Sequence, residues 1–390
     1  MEYTWTFGQS FLVFLLIVFL SQALATRLRS LIPMPLIYGL LFAVGFAAGF
    51  LPRDLLLSSN MVTVGTIAFN MLVIHSGTMI DLRLLWRRRK ETALCLLCTA
   101  AMVAGVLLVM GLVMGWDLAL LSPGVVVGGG AACAIASRAV MAAHPEISVF
   151  PWMVFMFQGL FAVPVVTAAL KKESAAFLRE AGPAAAPAGG PPQAAAFGPC
   201  ARLPQKYKTP AYYMGIIMVV AVANQALHAT LLAPLGLNLN VTALPLGILL
   251  GHFGILDRGP LFRSNSYGLL ILSLMGLMAN TLANTAAAAM LQLVAPVLLA
   301  LAVGTVLLAG CGWLLSLPLG LRPWQGVAMA VNAVMGFDVN RMLVENASAA
   351  APEAQRQALA GHLSSVLGIS TTLVSSGVSI FLASILANFV

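Results

Sequence analysis

The sequence predicts an all-α polytopic membrane protein. It divides into two inverted-topology repeats of five spans, each with a re-entrant hairpin or broken helix. Three observations lead there. Of 390 residues, 61% are hydrophobic and 8% charged, whereas soluble domains carry about 25% charged residues to keep their surfaces wet. The apolar residues come in stretches suited to crossing lipid, which takes about 20 residues per span. The basic residues gather on one side of those stretches under one arrangement of the chain.

Apolar stretches near 7–25, 32–51, 61–80, 92–115 and 149–170 make up the first repeat, residues 1–170. Those near 211–232, 241–256, 266–287, 290–316 and 361–388 make up the second, residues 210–390. Each repeat holds one irregular apolar segment between its fourth and fifth spans, at 121–143 and 324–347, with Gly, Pro or Asn and embedded charge. Residues 171–209, including Gly182-Pro183 and Gly189-Gly190-Pro191-Pro192, read as a turn-rich cytoplasmic linker whose start forms a short surface helix.

If each irregular segment enters and leaves on one side, each repeat crosses five times and the two are inverted. With both termini outside, 18 of the 20 Lys and Arg residues are then cytoplasmic, and only Arg53 and Arg138 are outside. Full crossing by both segments would divide them 10 to 10. Basic residues concentrate in cytoplasmic loops, so the re-entrant arrangement is expected. Internal repetition agrees. Pro35-Leu36 and Pro245-Leu246 each open a Gly-rich span. Pro123 and Pro323 each precede an irregular segment that closes on Ser137-Arg138 or Asn340-Arg341. Such pairing is characteristic of inverted-repeat transporters.

Several function classes fall away. The net charge of +8 sits in short segments between apolar stretches, where it sets topology, and no nucleic-acid partner is expected. The N-terminus lacks the basic n-region of a signal peptide. Cys95 and Cys98 have CxxC spacing but lie inside an apolar stretch, and are expected to be small buried residues. Trp86, Trp116, Trp152 and Trp324 fall at span ends and suit an interfacial belt. No Walker motif, catalytic triad order or metal-ligand cluster is present, so neither an enzyme nor an organic cofactor is expected.

The candidate residues lie in the irregular segments. Gly128-Gly129-Gly130 is a poor helix, since each Gly costs about 1 kcal/mol relative to Ala. Backbone opened in lipid must be satisfied by protein, water or ligand; the competing reading is close helix packing. In the second segment, Asp338 and Arg341 are charges in an apolar stretch, each needing a partner or a watery cavity. Either they neutralise each other, or Arg341 binds a substrate carboxylate through its planar fork. In the second case Asn332, Gly336 and Asp338 offer oxygens to Na+, and Asn340 lies beside them. Ser137 and Arg138 stand in the corresponding place of the first repeat, with Arg138 either in the site or snorkelling at the outer interface. Asn70, His75, Ser76, Thr78, Asn280 and Asn284 form a secondary polar set, for which interhelical hydrogen bonding is the simpler role.

At these positions the chain resembles the glutamate:sodium symporter family, within the superfamily that also holds the 2-hydroxycarboxylate symporters. Ile32-Pro33-Met34-Pro35-Leu36-Ile37-Tyr38-Gly39-Leu40-Leu41 is similar to that family's Ile-Pro-x-Pro-Val-x-Gly-Gly-Leu-Leu at the start of span two. Ser76-Gly77 with Leu82-Arg83, Phe157-Gln158-Gly159 to Pro164-Val165, and Leu244-Pro245 to Gly251 resemble further family segments. The resemblance implies five-plus-five spans, two Gly-rich pore loops or broken helices, a homodimer in the cell inner membrane, and elevator-like sodium symport. One departure stands out. The family's Gly-Gly-His-Gly-Thr-Gly is here Gly128-Gly129-Gly130-Ala131-Ala132-Cys133, so a small organic anion (a carboxylate or an amino acid) is the expected substrate in place of glutamate itself. The alternatives are a cation/proton antiporter with Asp338 as proton carrier, and a membrane scaffold or sensor.

Overall fold

The computed structural model describes residues 5–28, 32–181, 199–232, 239–349 and 351–390, without the side chains at 181, 201, 202, 231, 232, 337, 338 and 354. Most of the turn-rich linker, 182–198, lies outside the described residues. Among those described the chain is all-helical, and seven helices are long and apolar enough to cross a membrane. Helices satisfy their own backbone groups, which hydrocarbon requires of a spanning segment. Large apolar side chains such as Phe19, Leu112, Leu291 and Val306 are 64–76% exposed on the outside of the bundle, the surface a lipid-embedded protein presents.

The first half contains α1 (Phe7–Arg27), α2 (Met34–Ala47), α3 (Met61–Met79), α4 (Arg89–Val113), α5 (Trp116–Val126), α6 (Gly130–Val140) and α7 (Phe150–Ala181). The second contains α8 (Pro210–Leu227), α9 (Asn240–His252), α10 (Tyr267–Ala283), α11 (Ala287–Leu319), α12 (Pro323–Asn332), α13 (Phe337–Ser348), α14 (Glu353–Ser370) and α15 (Ser379–Leu386). A π-helical segment, Thr371–Val378, joins α14 to α15 in one rod.

Backbone landmarks recur between the halves. Gly49, Asn60 and Gly115 have φ of 73°, 56° and 96°, while Gly254, Asn265 and Gly320, each 205 positions later, have 68°, 55° and 69°. Gly and Asn tolerate positive φ with least strain. In both halves a Gly follows the second helix, an Asn precedes the third, and a Gly turns the chain from the fourth helix into the interrupted pair. This register differs by five residues from the pairings of Pro35 with Pro245 and Pro123 with Pro323. The prolines occupy different turns: Pro35 is in the first turn of α2 but Pro245 is inside α9, and Pro123 is inside α5 but Pro323 begins α12.

Polar contacts identify one end of the bundle. Arg88 Nη1 donates to Ser365 O at 2.9 Å, and Lys90 lies against Gly320. Glu173 pairs with Arg322 at 2.9 Å and with His362 at 2.8 Å. The start of α4, the end of α11, the start of α12, the last third of α7 and the middle of α14 therefore share this end. From it α12 runs inward against α11, with Gly326 on Ser316 and Gly312 near Ala330. At the start of α7, Trp152 is 2% exposed, with its ring edge-on to Phe155. It belongs to the core and not to an interfacial belt, because the first turn of α7 is enclosed by protein on every side.

The α7 helix continues through Lys171 to Ala181, so the expected surface helix of the linker is the end of the fifth span. That extension buries the Glu173 side chain completely. Removing one partner of a buried pair leaves an uncompensated charge, at about 3–5 kcal/mol. Arg322→Ala, which strands the buried Glu173 carboxylate, is therefore expected to lower thermal stability strongly. Glu180→Ala, which also loses a contact with Arg322 but is 70% exposed, should cost less than about 1 kcal/mol. Parallel melting curves of the two variants check this.

The far end of the linker is fixed by polar contacts outside the spans. Cys200 N donates to Gly254 O at 3.0 Å, and Lys208 Nζ and Tyr213 Oη donate to Asp257 Oδ2 at 2.8 and 3.0 Å. Burial acts to raise the Asp257 pKa, but the hydrogen bonds from Lys208 and Tyr213 and the charges of Arg263 and Lys208 outweigh it and hold the carboxyl below its ordinary value. The stability this provides is complete above the unfolded Asp pKa of about 3.9 and is lost as pH falls through the folded value. Melting temperature should therefore fall less steeply below pH 4 in Asp257→Asn than in the native chain.

Candidate functional site

Each interrupted pair breaks at a glycine in the same extended conformation. Gly129, at φ −85° and ψ −170°, caps α6; Gly336, at φ −86° and ψ 179°, caps α13. A Cβ at either glycine would meet nothing within 4 Å, so neither capping glycine is packed shut by a neighbour. A helix start has four N–H groups without intrahelical partners and the positive end of its dipole, which together favour an anion. Gly128 has a different role. A Cβ there would sit 2.5 Å from Ala132 Cβ and 3.2 Å from Ser379 Cβ, so it serves close packing, and one at Gly130 would come within 3.1 Å of Leu274. The two readings of the triple glycine thus divide among its members.

Both breaks meet the rod formed by α14, the π segment and α15. The α12 and α13 helices flank α14, while α5 and α6 flank α15. At the second break, Asn332 is fully buried, and its two Nδ2 hydrogens are shared among Leu367 O at 3.2 Å, Ser370 Oγ at 3.0 Å and Thr371 Oγ1 at 3.0 Å. The Leu367 carbonyl can only accept, which fixes the orientation of the Asn332 amide. Asn340 Nδ2 also bonds Thr371 Oγ1. Among the described residues, the Oδ1 atoms of both Asn332 and Asn340 are buried without a hydrogen-bond partner. Leaving such an acceptor unmet costs about 1–3 kcal/mol, and two of them beside Thr371 suit a hard cation. At the first break the contact is between Gly128 and Ser379, at the other end of the π segment.

The charged candidates are spread out. Arg341 is 85% exposed and pairs with Glu345 at 2.8 Å, one turn further along α13. The Asp338 side chain lies outside the described residues. Arg138 follows its break glycine by nine residues and Arg341 by five, so the two are one helical turn out of correspondence; the position matching Arg138 is Glu345. Ser137 is buried, with no partner for Oγ among the described residues. Arg138 is exposed, makes no ion pair among the described residues, and lines a cavity of about 300 Å³ with Thr66, Asn70, Gln225 and Asn240.

Of the secondary polar set, Asn70, His75 and Thr78 make hydrogen bonds between elements, whereas Ser76 and Asn284 bond back to their own helices and Asn280 Oδ1 has no partner among the described residues. Asn70 Nδ2 donates to Ala221 O at 3.0 Å, and Asn224 Nδ2 donates to Asn70 Oδ1 at 3.4 Å. His75 Nδ1 accepts from Leu261 N at 3.3 Å, with Phe262 and Tyr267 packed on its ring. Cys95 and Cys98 are buried thiols. Sequence reasoning missed Ser370, Thr371 and Ser379. The available signal was the hydroxyl run Ser370-Thr371-Thr372 and Ser375-Ser376 inside an otherwise apolar span. No protein-family model matches the chain, and no curated protein matches it significantly.

Proposed function

We propose that the chain is a secondary active transporter that couples Na+ to uptake of a small organic anion through an elevator-type movement, as a homodimer in the cell inner membrane. The observation that carries this reading is the meeting of two interrupted helices on one rod. Each has a glycine-capped helix start whose glycine no neighbour packs shut, and the second has two unpaired amide oxygens beside it. In this reading the amide oxygens of Asn332 and Asn340 and the opened backbone at Gly336, with Asp338, hold Na+, while Thr371 orients the two asparagines. The helix starts at Gly128–Gly130 and Gly336 receive the anion, with Arg138 and Arg341 attracting it.

The halves are inverted repeats in this reading, with the charged end of the bundle cytoplasmic. Support comes from the 205-residue recurrence of positive-φ landmarks. It also comes from the path of the chain, since α4 starts and α7 ends at the Lys90–Glu173–Arg322 end. The α5–α6 pair then returns to the opposite end that it entered from, while α12–α13 returns to the charged end. Alternating access around a central site is the usual use of such a fold.

Reconstitution into liposomes tests the proposal. A Na+ gradient is expected to raise uptake of at least one carboxylate or amino acid tenfold or more over a K+ gradient. Uptake of every organic anion that ignores Na+ would sink it. Antiport through Asp338 would instead show as pH-driven Na+ flux without organic substrate in the same liposomes.

A further inference from the structure

We propose that the Arg138 cavity binds a small monocarboxylate whose far end is polar but uncharged. This deepens the transport reading by naming a substrate class, and rests on it only for the claim that what binds is also carried. The cavity lies between α6, which contributes Arg138, and a wall from α3, α8 and the start of α9, which contributes Asn70, Gln225 and Asn240. Its volume of about 300 Å³ is at the lower limit of small-molecule sites, which suits a ligand of a few carbons.

Charge decides the class. Arg138 is the one cationic side chain among the described lining residues, and no carboxylate lines the cavity among them. A guanidinium binds one carboxylate through two parallel hydrogen bonds. A second carboxylate would find no cation to meet it. A ligand ammonium would find no anion and would share the cavity with Arg138. The opposing wall offers amides, which satisfy a hydroxyl or carbonyl without leaving a charge uncompensated. That wall is held in place: Asn70 is fixed to α8 through Ala221 O and Asn224, and Thr66 Oγ1 donates to Val62 O at 2.9 Å, leaving it an acceptor toward the cavity. Phe69 and Ile135 supply apolar surface for the carbon chain.

Three four-carbon probes with one shared carboxylate separate the possibilities: 4-hydroxybutyrate, 4-aminobutyrate and succinate. Binding is measured by calorimetry on the full chain in nanodiscs of phosphatidylcholine. 4-Hydroxybutyrate is expected to bind at least tenfold more tightly than the other two. Arg138→Gln should weaken it at least tenfold while leaving the ligand-free melting temperature unchanged. Arg138→Lys should give an intermediate loss, because the charge remains and the fork does not. The proposal is overturned if succinate or 4-aminobutyrate binds as tightly, if no probe binds, or if Arg138→Gln binds normally. It is also overturned if phosphatidylglycerol in the nanodisc displaces the probe through Arg138, which would make a lipid headgroup the occupant. Tight binding of 4-hydroxybutyrate without Na+-driven uptake would leave the site standing and remove the transport reading instead.

Discussion

Replacing Gly247 by Val is expected to prevent recovery of folded, monodisperse protein. Gly247 of α9 crosses α3 at Gly77 with the two backbones in contact. A Cβ at Gly247 would overlap Ile74 O and lie 3.1 Å from Gly77 Cα, and one at Gly77 would lie 2.5 Å from Leu244 O. The obstacles are backbone atoms, so no rotamer change relieves them. Nor can α3 retreat, because its other face is held against α10 by a second close approach. There a Cβ at Gly65 would lie 2.6 Å from Ser273 O, and one at Gly276 would lie 2.8 Å from Met61 Cβ. Overpacking a core costs about 1–3 kcal/mol when neighbours can shift; with α3 fixed on both sides the cost should exceed that range. Gly310→Ala, where a Cβ meets nothing within 4 Å, should stabilise by up to about 1 kcal/mol through helix propensity. Size-exclusion profiles and melting temperatures of the two variants decide the matter, and a native-like profile for Gly247→Val would refute the packing argument.

That crossing shows what could be read from the sequence and what could not. The Gly-rich character of residues 245–254 was visible, and so were the spans, because apolar run length reports directly on membrane crossing. Which helix each glycine touches depends on tertiary contact, and no local pattern encodes it. The proline pairings do not coincide with the positive-φ landmarks, since Pro is tolerated both at a helix start and, in membrane helices, inside one. The recurrence at Asn60 and Asn265 could not be read, because an Asn in a polar loop gives no sign of its dihedral. Glu173 was assigned to the linker because it follows Lys171 and Lys172, although burial of a single carboxylate depends on Arg322 and His362 from distant segments. The break at Gly128–Gly130 was legible, where backbone chemistry is local, and the second segment was legible as irregular without its break being placed at Gly336. Thr371 was not, because a hydroxyl in an apolar helix ordinarily bonds back to its own chain. Thr371 does so with Leu367 O at 3.0 Å, while also receiving two asparagine amides.

The same geometry predicts that Asn332→Leu keeps the fold and loses coupling. Removing a buried hydrogen-bonding group usually strands its partners, at about 1–3 kcal/mol each. Here the partners remain satisfied. Ser370 Oγ and Thr371 Oγ1 donate to Leu367 O at 2.9 and 3.0 Å, and Asn340 Nδ2 still bonds Thr371. Leu has the branching of Asn and removes the unpaired Oδ1 atom, but its methyl groups are larger, so the net cost in stability should stay within the overpacking range of about 1–3 kcal/mol. Cation binding has no such compensation. A bond to a charged partner is worth about 1.5–3 kcal/mol, and about 1.4 kcal/mol is tenfold in affinity. The Na+ concentration for half-maximal uptake should therefore rise at least about tenfold in Asn332→Leu, with folded protein still recovered. Asn340→Leu should shift the same curve in the same direction, since its Oδ1 is equally unpaired. Native Na+ dependence in both variants would mean that the second break holds no cation. The amide oxygens would then be structural, and coupling would have to be sought at the first break, where Gly128 meets Ser379.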